Sequence, residues 1–441
     1  MHGSFRRLAA SMLAAVLVCG CGERAPDSAA SSTEGTPARD GTEGVGARDG
    51  IESAAAPADG ADRVPGDSPG GTTAEPRDPI GDGPSPPTGI RLLSSSEGAD
   101  ADFARALAPR AFDFPRDHAA HPRFRAEWWY FTGNLRSGER HYGFELTFFR
   151  FALRPDAPKS PSAWAANQVW MAHLAVTDTA NGRLVAEERL TRGALGLAGT
   201  RVEPFRVWVE DWTAGTPPGG SPHSFMLEAR GERIGIRLAL DAVKPPTLHG
   251  ERGLDRKGPE AGNASYYYSL TRMTARGSVE VDGSEHEVQG SAWMDREWST
   301  SALSPGIEGW DWFALQLSDG TDVMLYRLRR EDGSASRFSG GSLVDPEGRR
   351  TPLAEDDMRL EPLDWWESGR SGIRYPTAWK VEVPSAALDL EVRPYVDDQE
   401  IDLTVRYWEG AVRIEGTSKD GPIEGNGYLE LAGYRRARPT R

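Results

Sequence analysis

From about residue 127 onward, apolar and polar positions alternate in short runs separated by turn residues. Glu127-Trp-Trp-Tyr-Phe-Thr-Gly-Asn-Leu135 reads as an aromatic-rich strand that ends at the turn Arg136-Ser-Gly-Glu139, with His141–Phe151 as its hairpin partner. Val169–Asp178 and Leu184–Leu190 flank the turn Thr179-Ala-Asn-Gly-Arg183, and Phe205–Trp212, Ser224–Ala229 and Gly235–Ala242 continue the series. Almost no 3.6-residue periodicity persists beyond two turns. The pattern predicts an all-β chain of barrels or sandwiches.

One strand carries unusual side chains. In Gly290–Ser299, period two places Trp293, Asp295 and Glu297 on one face and Ala292, Met294, Arg296 and Trp298 on the other. A carboxyl group beside an indole loses hydration, which pushes its pKa upward. Asp295 is therefore a candidate acid. The alternative is an ion pair with an Arg of a neighbouring strand, which would make it a barrel-closing strut. Glu127, beside Trp128 and Trp129, poses the same choice between ligand contact and ion pair.

The chain then repeats itself. Trp128-x-Tyr130-Phe131-x-x-Asn134-Leu135-x-x-Gly138 recurs as Trp310-x-Trp312-Phe313-x-x-Gln316-Leu317-x-x-Gly320. Gly277-x-Val279-x-Val281-x-Gly283 recurs as Gly410-x-Val412-x-Ile414-x-Gly416. Val288-x-Gly290-x-Ala292-Trp293-x-Asp295 recurs as Ile423-x-Gly425-x-Gly427-Tyr428-x-Glu430. Matches in the same order indicate a duplicated domain, with residues 111–303 as the first copy and 305–441 as the second. Each copy opens and closes on an aromatic strand, as expected if first and last strands meet to close a barrel. Glu430, at the position equivalent to Asp295, favours a structural role for both, because two separate catalytic sites are not expected.

The first hundred residues differ in kind. Arg6 and Arg7 precede the apolar run Leu8–Val18, so residues 1–20 read as an export signal. Val18-Cys19-Gly20-Cys21 resembles a bacterial lipoprotein signal, with Cys21 as the lipidated residue and a membrane anchor as the consequence. Residues 21–103 are rich in Gly, Ala, Ser, Pro and Asp with almost no aromatics, which predicts a disordered tether. About 80 such residues span on the order of 50 Å. Gly22 after the Cys favours the periplasmic side of the outer membrane. The only two Cys residues are Cys19 and Cys21, so the folded part is no disulfide scaffold. A formal net charge of −15 without a basic stripe argues against nucleic acid as a partner. No Gly-rich phosphate loop and no Gly-x-Ser-x-Gly elbow appears, so a serine-hydrolase route has no support. His118, His121 and His173 match no metal-ligand spacing, and no cofactor is expected.

Glu127-Trp-Trp-Tyr-Phe-Thr-Gly133, Asn263-Ala-Ser-Tyr-Tyr-Tyr-Ser269, Trp293-Met-Asp-Arg-Glu-Trp298 and Gly309-Trp-Asp-Trp-Phe313 resemble the AttH / carotenoid 1,2-hydratase family of lipocalin-like proteins. The resemblance covers roughly residues 111–437 and implies two consecutive lipocalin-like β-barrels. It also implies either hydration of a terminal alkene or service beside an ABC-transporter permease. In the hydratase branch the acid is the Asp of a Tyr-x-Asp motif, with a His-x-Trp pair on an earlier strand. Asp295 stands where the acid would be, Trp293 where the Tyr would be, and Tyr266-x-Tyr268 where His-x-Trp would be.

Two functions follow. The first is a lipid-anchored envelope protein holding an apolar, lipid or isoprenoid-like ligand in an aromatic cavity. The second is a hydratase in which Asp295 protonates an alkene while Tyr266, Tyr268 and Trp293 shelter the cation, each ring face contributing roughly 2 kcal/mol when dry. Glu127, Trp128, Trp129, Tyr130, His173, Glu297 and Trp298 are the candidate ligand contacts. The enzyme requires Asp295 to face a ligand-sized void with no Arg against it.

Overall fold

The computed structural model describes residues 102–301 and 303–436. The export signal, Cys21 and nearly all of the tether lie outside them. Two antiparallel sheets carry the fold. The first contains β1 (Ala126–Ser137), β2 (Arg140–Ala152), β3 (Gln168–Asp178), β4 (Arg183–Arg192), β5 (Ala198–Arg201) and β6 (Arg206–Val209). It continues with β7 (Trp212–Gly215), β8 (Ser224–Arg230), β9 (Ile234–Ala242), β10 (Thr247–Leu248), β11 (Leu254–Arg256), β12 (Ala264–Val281) and β13 (Ser284–Ser299). The second contains β14 (Ile307–Leu317), β15 (Asp322–Arg330), β16 (Gly340–Val344), β17 (Arg350–Ala354) and β18 (Arg359–Glu367). β19 (Arg374–Val383), β20 (Leu388–Pro394), β21 (Glu400–Asp402), β22 (Arg406–Ser418) and β23 (Gly421–Ala432) complete it. Each sheet curls into a nearly closed barrel, so the chain is all-β with two lipocalin-like barrels.

The first and last strands of each copy do pair. β1 runs against β13 with Tyr130 opposite Asp295, and β14 runs against β23 with Trp312 opposite Glu430. The repeat read from sequence is thus reproduced in register, residue for residue. Its glycines have a steric reason. A Cβ at Gly290 would lie 2.0 Å from the Asn134 carbonyl oxygen, and one at Gly425 would lie 2.4 Å from that of Gln316. The expected strand Phe205–Trp212 is instead a hairpin, because Glu210 takes a left-handed φ of 56° and Val209 pairs with Trp212. No Gly or Pro marks that turn in the sequence.

Period two sorts most of the buried aromatics into three cores. Trp129, Phe131, Phe144 and Trp298 fill the first barrel, and Phe313, Leu325, Trp379 and Trp408 fill the second. Tyr130, Tyr267, Trp293, Trp312, Met324 and Tyr428 point the other way and form a core between the barrels. Reciprocal hydrogen bonds tie that interface. Asn134 Nδ2 donates to the Gly427 carbonyl at 3.0 Å, and its repeat equivalent Gln316 donates Nε2 to the Ala292 carbonyl at 3.0 Å. This is the signature of an isologous contact built from a duplication. Asp322 adds a buried clamp, accepting from Thr271 at 2.8 Å and pairing with Lys244 at 2.7 Å and with Arg272.

Candidate functional site

A cavity of about 180 Å³ opens in the interface between the barrels. Half-buried Trp128, Phe149, Phe151 and Trp310 line its outer end, and buried Tyr130, Tyr267, Trp312 and Asp295 line its inner part. Neither barrel interior holds this site. It is made by the outward faces of β1, β2, β12 and β13 together with those of β14, β15, β22 and β23.

Asp295 is the best-defined group there. Trp293 Nε1 donates to its Oδ1 at 2.6 Å, Ser269 Oγ donates to the same oxygen, and Tyr267 Oη donates to Oδ2. Trp312 Nε1 donates to Tyr267 Oη at 3.0 Å, which leaves the tyrosine proton aimed at the carboxylate. Ser269 Oγ also lies 2.6 Å from His249 Nε2, and His249 Nδ1 lies 2.9 Å from Ser342 Oγ. The nearby cations are engaged elsewhere. Arg296 pairs with Glu127 inside the first barrel, and Lys257 pairs with Asp255 at 2.6 Å and Glu297 at 3.5 Å. Among the described residues no cation pairs with Asp295. Burial therefore pushes its pKa up to about 7, although the Ser269, Tyr267 and Trp293 hydrogen bonds oppose the rise. Such a carboxyl keeps a proton near neutrality, and its conjugate base is met by three donors once the proton has left. The barrel-closing strut exists, but it is another residue. Burial disfavours the Glu127 carboxylate, yet Arg150 and Arg296 outweigh burial and hold its pKa well below the usual range.

The residues expected from sequence divide by face. Asp295, Glu297, Trp128 and Tyr130 line the cavity, and Trp293 lies behind it in the inter-barrel core with its indole on Asp295. Tyr266, Tyr268, Glu127, Trp129 and Trp298 do not, because they belong to the opposite face and pack inside the first barrel. Tyr266 Oη donates to the Ala108 carbonyl at 2.9 Å, and Tyr268 Oη lies 2.5 Å from His118 Nδ1. Trp298 stacks on His121 with centroids 3.8 Å apart, and Trp129 stacks on Trp170 at 5.8 Å. The reason is register. Ser269 stands opposite Asp295 and Tyr267 opposite Glu297, so the phenol that reaches Asp295 is Tyr267, between the two expected tyrosines. His173 sits behind the cavity wall with Nδ1 2.5 Å from Tyr407 Oη, and burial lowers its pKa to about 3. Glu297 keeps Lys257 as its counterion, although burial still raises its pKa.

Sequence reasoning gave Glu430 a structural role and did not single out Glu409 or Tyr407. Glu430, the repeat equivalent of Asp295, lines the same cavity, as do Glu409 and Tyr407. Glu409 is the cross-strand partner of Glu430, as Ser269 is of Asp295. Burial raises the pKa of Glu430 to about 8 and that of Glu409 well above its ordinary value. Among the described residues no group of three or more His, Cys, Asp or Glu is arranged to hold a metal ion.

No curated protein sequence matches this chain. A solved structure of an AttH-type protein from Nitrosomonas europaea is 34% identical, covers 75% of this chain and 100% of its own, and superposes with a TM-score of 0.66. Kievitone hydratase from Nectria haematococca is 15% identical, covers 77% of this chain and 96% of its own, and gives a TM-score of 0.56, a likeness of fold. The AttH-like family model matches residues 105–434. The chain belongs to the AttH-like family.

Proposed function

We propose that the inter-barrel cavity takes the unsaturated end of an apolar small molecule and that Asp295 adds water across its double bond as general acid. The observation that carries this reading is Asp295 itself, a buried carboxyl facing an aromatic cavity with no cation against it. Protonating an isolated alkene leaves a tertiary cation. Trp128, Tyr130, Tyr267, Trp310 and Trp312 line the cavity there, and aromatic rings stabilise a cation without trapping it. A dry cavity of about 150 Å³ accepts a benzene-sized molecule. A space of about 180 Å³ therefore suits one isoprenyl unit, with the rest of a longer ligand leaving past Phe149 and Phe151. That a protein of this fold is named a hydratase is in keeping with the reading. In the same reading, Cys21 anchors the protein in the cell envelope and an ABC transporter is a candidate partner.

The test uses citronellol, which carries a trisubstituted terminal alkene, with the full chain in ¹⁸O-water. Wild type is expected to release the diol bearing one labelled oxygen. Asp295→Asn is expected to bind the probe, as read by tryptophan quenching, and to turn over about 100-fold or more slowly. Binding without turnover by both proteins would identify a carrier of apolar ligands, the reading that the aromatic lining also supports.

A further inference from the structure

Glu430 and Asp295 occupy equivalent positions in the two copies, and the duplication has turned both toward one cavity rather than into two sites. Their surroundings are equivalent in outline and opposite in character. Asp295 has three donors on its oxygens, and its cross-strand neighbour is a hydroxyl, Ser269. Glu430 has a second carboxyl, Glu409, as its cross-strand neighbour. Glu409 is 1% exposed, lines the cavity, and has the Tyr130 and Tyr407 phenols as its polar neighbours, with no cation against it among the described residues. The Tyr130 hydroxyl, another buried cavity group, faces the Glu409 carboxyl. Glu145, on β2 of the first barrel, is fully buried, with the Thr147 hydroxyl beside it and the Glu430 charge near it. Among the described residues Glu145, Glu409 and Glu430 pair with no cation. Carboxyls crowded this way without a counterion cannot all ionise, so they hold protons in common.

We propose that Glu430 is the base of the hydration whose acid is Asp295, the two repeat-equivalent carboxyls passing one proton between them; this rests on the proposed function. The reactive arrangement, with Asp295 protonated and Glu430 ionised, is the minor placement of the shared proton, because Glu430 holds a proton more tightly than Asp295. The alkene π pair takes the Asp295 proton, forming a C–H bond and leaving the carboxylate to Trp293, Tyr267 and Ser269. Water then forms the C–O bond to the tertiary cation, and its surplus proton passes to Glu430. Return of that proton from Glu430 to Asp295 restores both groups, and the sum is alkene plus water giving alcohol. Glu409 and Glu145 stay protonated beside Glu430, and Glu297 is neutralised by Lys257. The raised pKa of Glu430, to which burial contributes most and the Asp295 and Glu297 charges add, agrees with a proton shared across the cavity.

The experiment follows two labels from citronellol in deuterated water with the full chain. Deuterium replacing the vinylic hydrogen of unreacted probe reports cation formation, and diol reports capture of water. Wild type should give both. Glu430→Gln should keep vinylic labelling within about tenfold while diol falls about 10²- to 10⁴-fold, and Asp295→Asn should lose both. Equal loss of both products in Glu430→Gln that has kept the wild-type unfolding midpoint would overturn the role of Glu430 and leave Asp295 as acid. Undiminished diol formation in Glu430→Gln would do the same. If wild type gives neither product, the proposed reaction itself fails, and the base falls with it. A second readout is independent of turnover. The Asp295 carboxyl, followed by ¹³C NMR, should titrate at lower pH in Glu430→Gln than in wild type, and an unmoved midpoint would refute the sharing of a proton.

Discussion

Asp295→Asn should change stability in a direction that a strut never would. The folded pKa of Asp295 is about 7 against an ordinary value of 3.8. Between those values the unfolded chain has released a proton that the folded chain retains. The folding advantage of the protonated form, complete below the unfolded value, is therefore lost as the pH rises and is gone above the folded value. Each unit corresponds to about 1.36 kcal/mol. From pH 5 to pH 7 there are about two units of this loss, so wild type gives up about 3 kcal/mol through Asp295 alone by pH 8. The asparagine variant has no such proton to lose. Its altered hydrogen bonds to Trp293, Tyr267 and Ser269 shift its stability at both pH values and largely cancel in the comparison. Urea unfolding of both proteins at pH 5 and pH 8 gives the difference of differences directly. The variant should gain about 2–3 kcal/mol on wild type between the two conditions. A pH-independent difference, or a variant that loses ground at pH 8, would refute the reasoning, because an ion-paired Asp stabilises the fold as it ionises.

Glu127→Gln should behave in the opposite way, destabilising the fold by about 3–5 kcal/mol by urea unfolding, since Arg150 and Arg296 would remain buried without their carboxylate. Leu328→Trp should fill the cavity from β15, abolishing quenching by citronellol at a stability cost of about 1–3 kcal/mol.

The duplication was legible because its signals are local. Paired glycines, paired aromatics and a closing acid recur in order, and the structure gives each a steric or hydrogen-bonding reason. The face carrying Trp293, Asp295 and Glu297 followed from period two alone. The partners of Asp295 did not, because they depend on which residue of β12 lies opposite it, and cross-strand register is not a property of either strand. Tyr266-x-Tyr268 drew attention through resemblance, while the contact belongs to Tyr267, one residue out of phase and hence on the other face. The location between the barrels was equally hidden. Glu430 seemed to argue for a structural acid in each barrel, and only the isologous interface shows that both acids meet one cavity. A pointer was present all the same. Trp293 and Trp298 fall on opposite faces of one strand, so the second half of β13 has no solvent side, and an aromatic outer face needs a second body to cover it.

The most direct test of the account is the titration of Asp295 itself. ¹³C NMR of the carboxyl, assigned by its disappearance in Asp295→Asn, should show a midpoint at about pH 7 that moves when citronellol fills the cavity. A midpoint near the ordinary value of 3.8, or one indifferent to the ligand, would mean that Asp295 is a solvated or ion-paired group and that the cavity has no acid to offer.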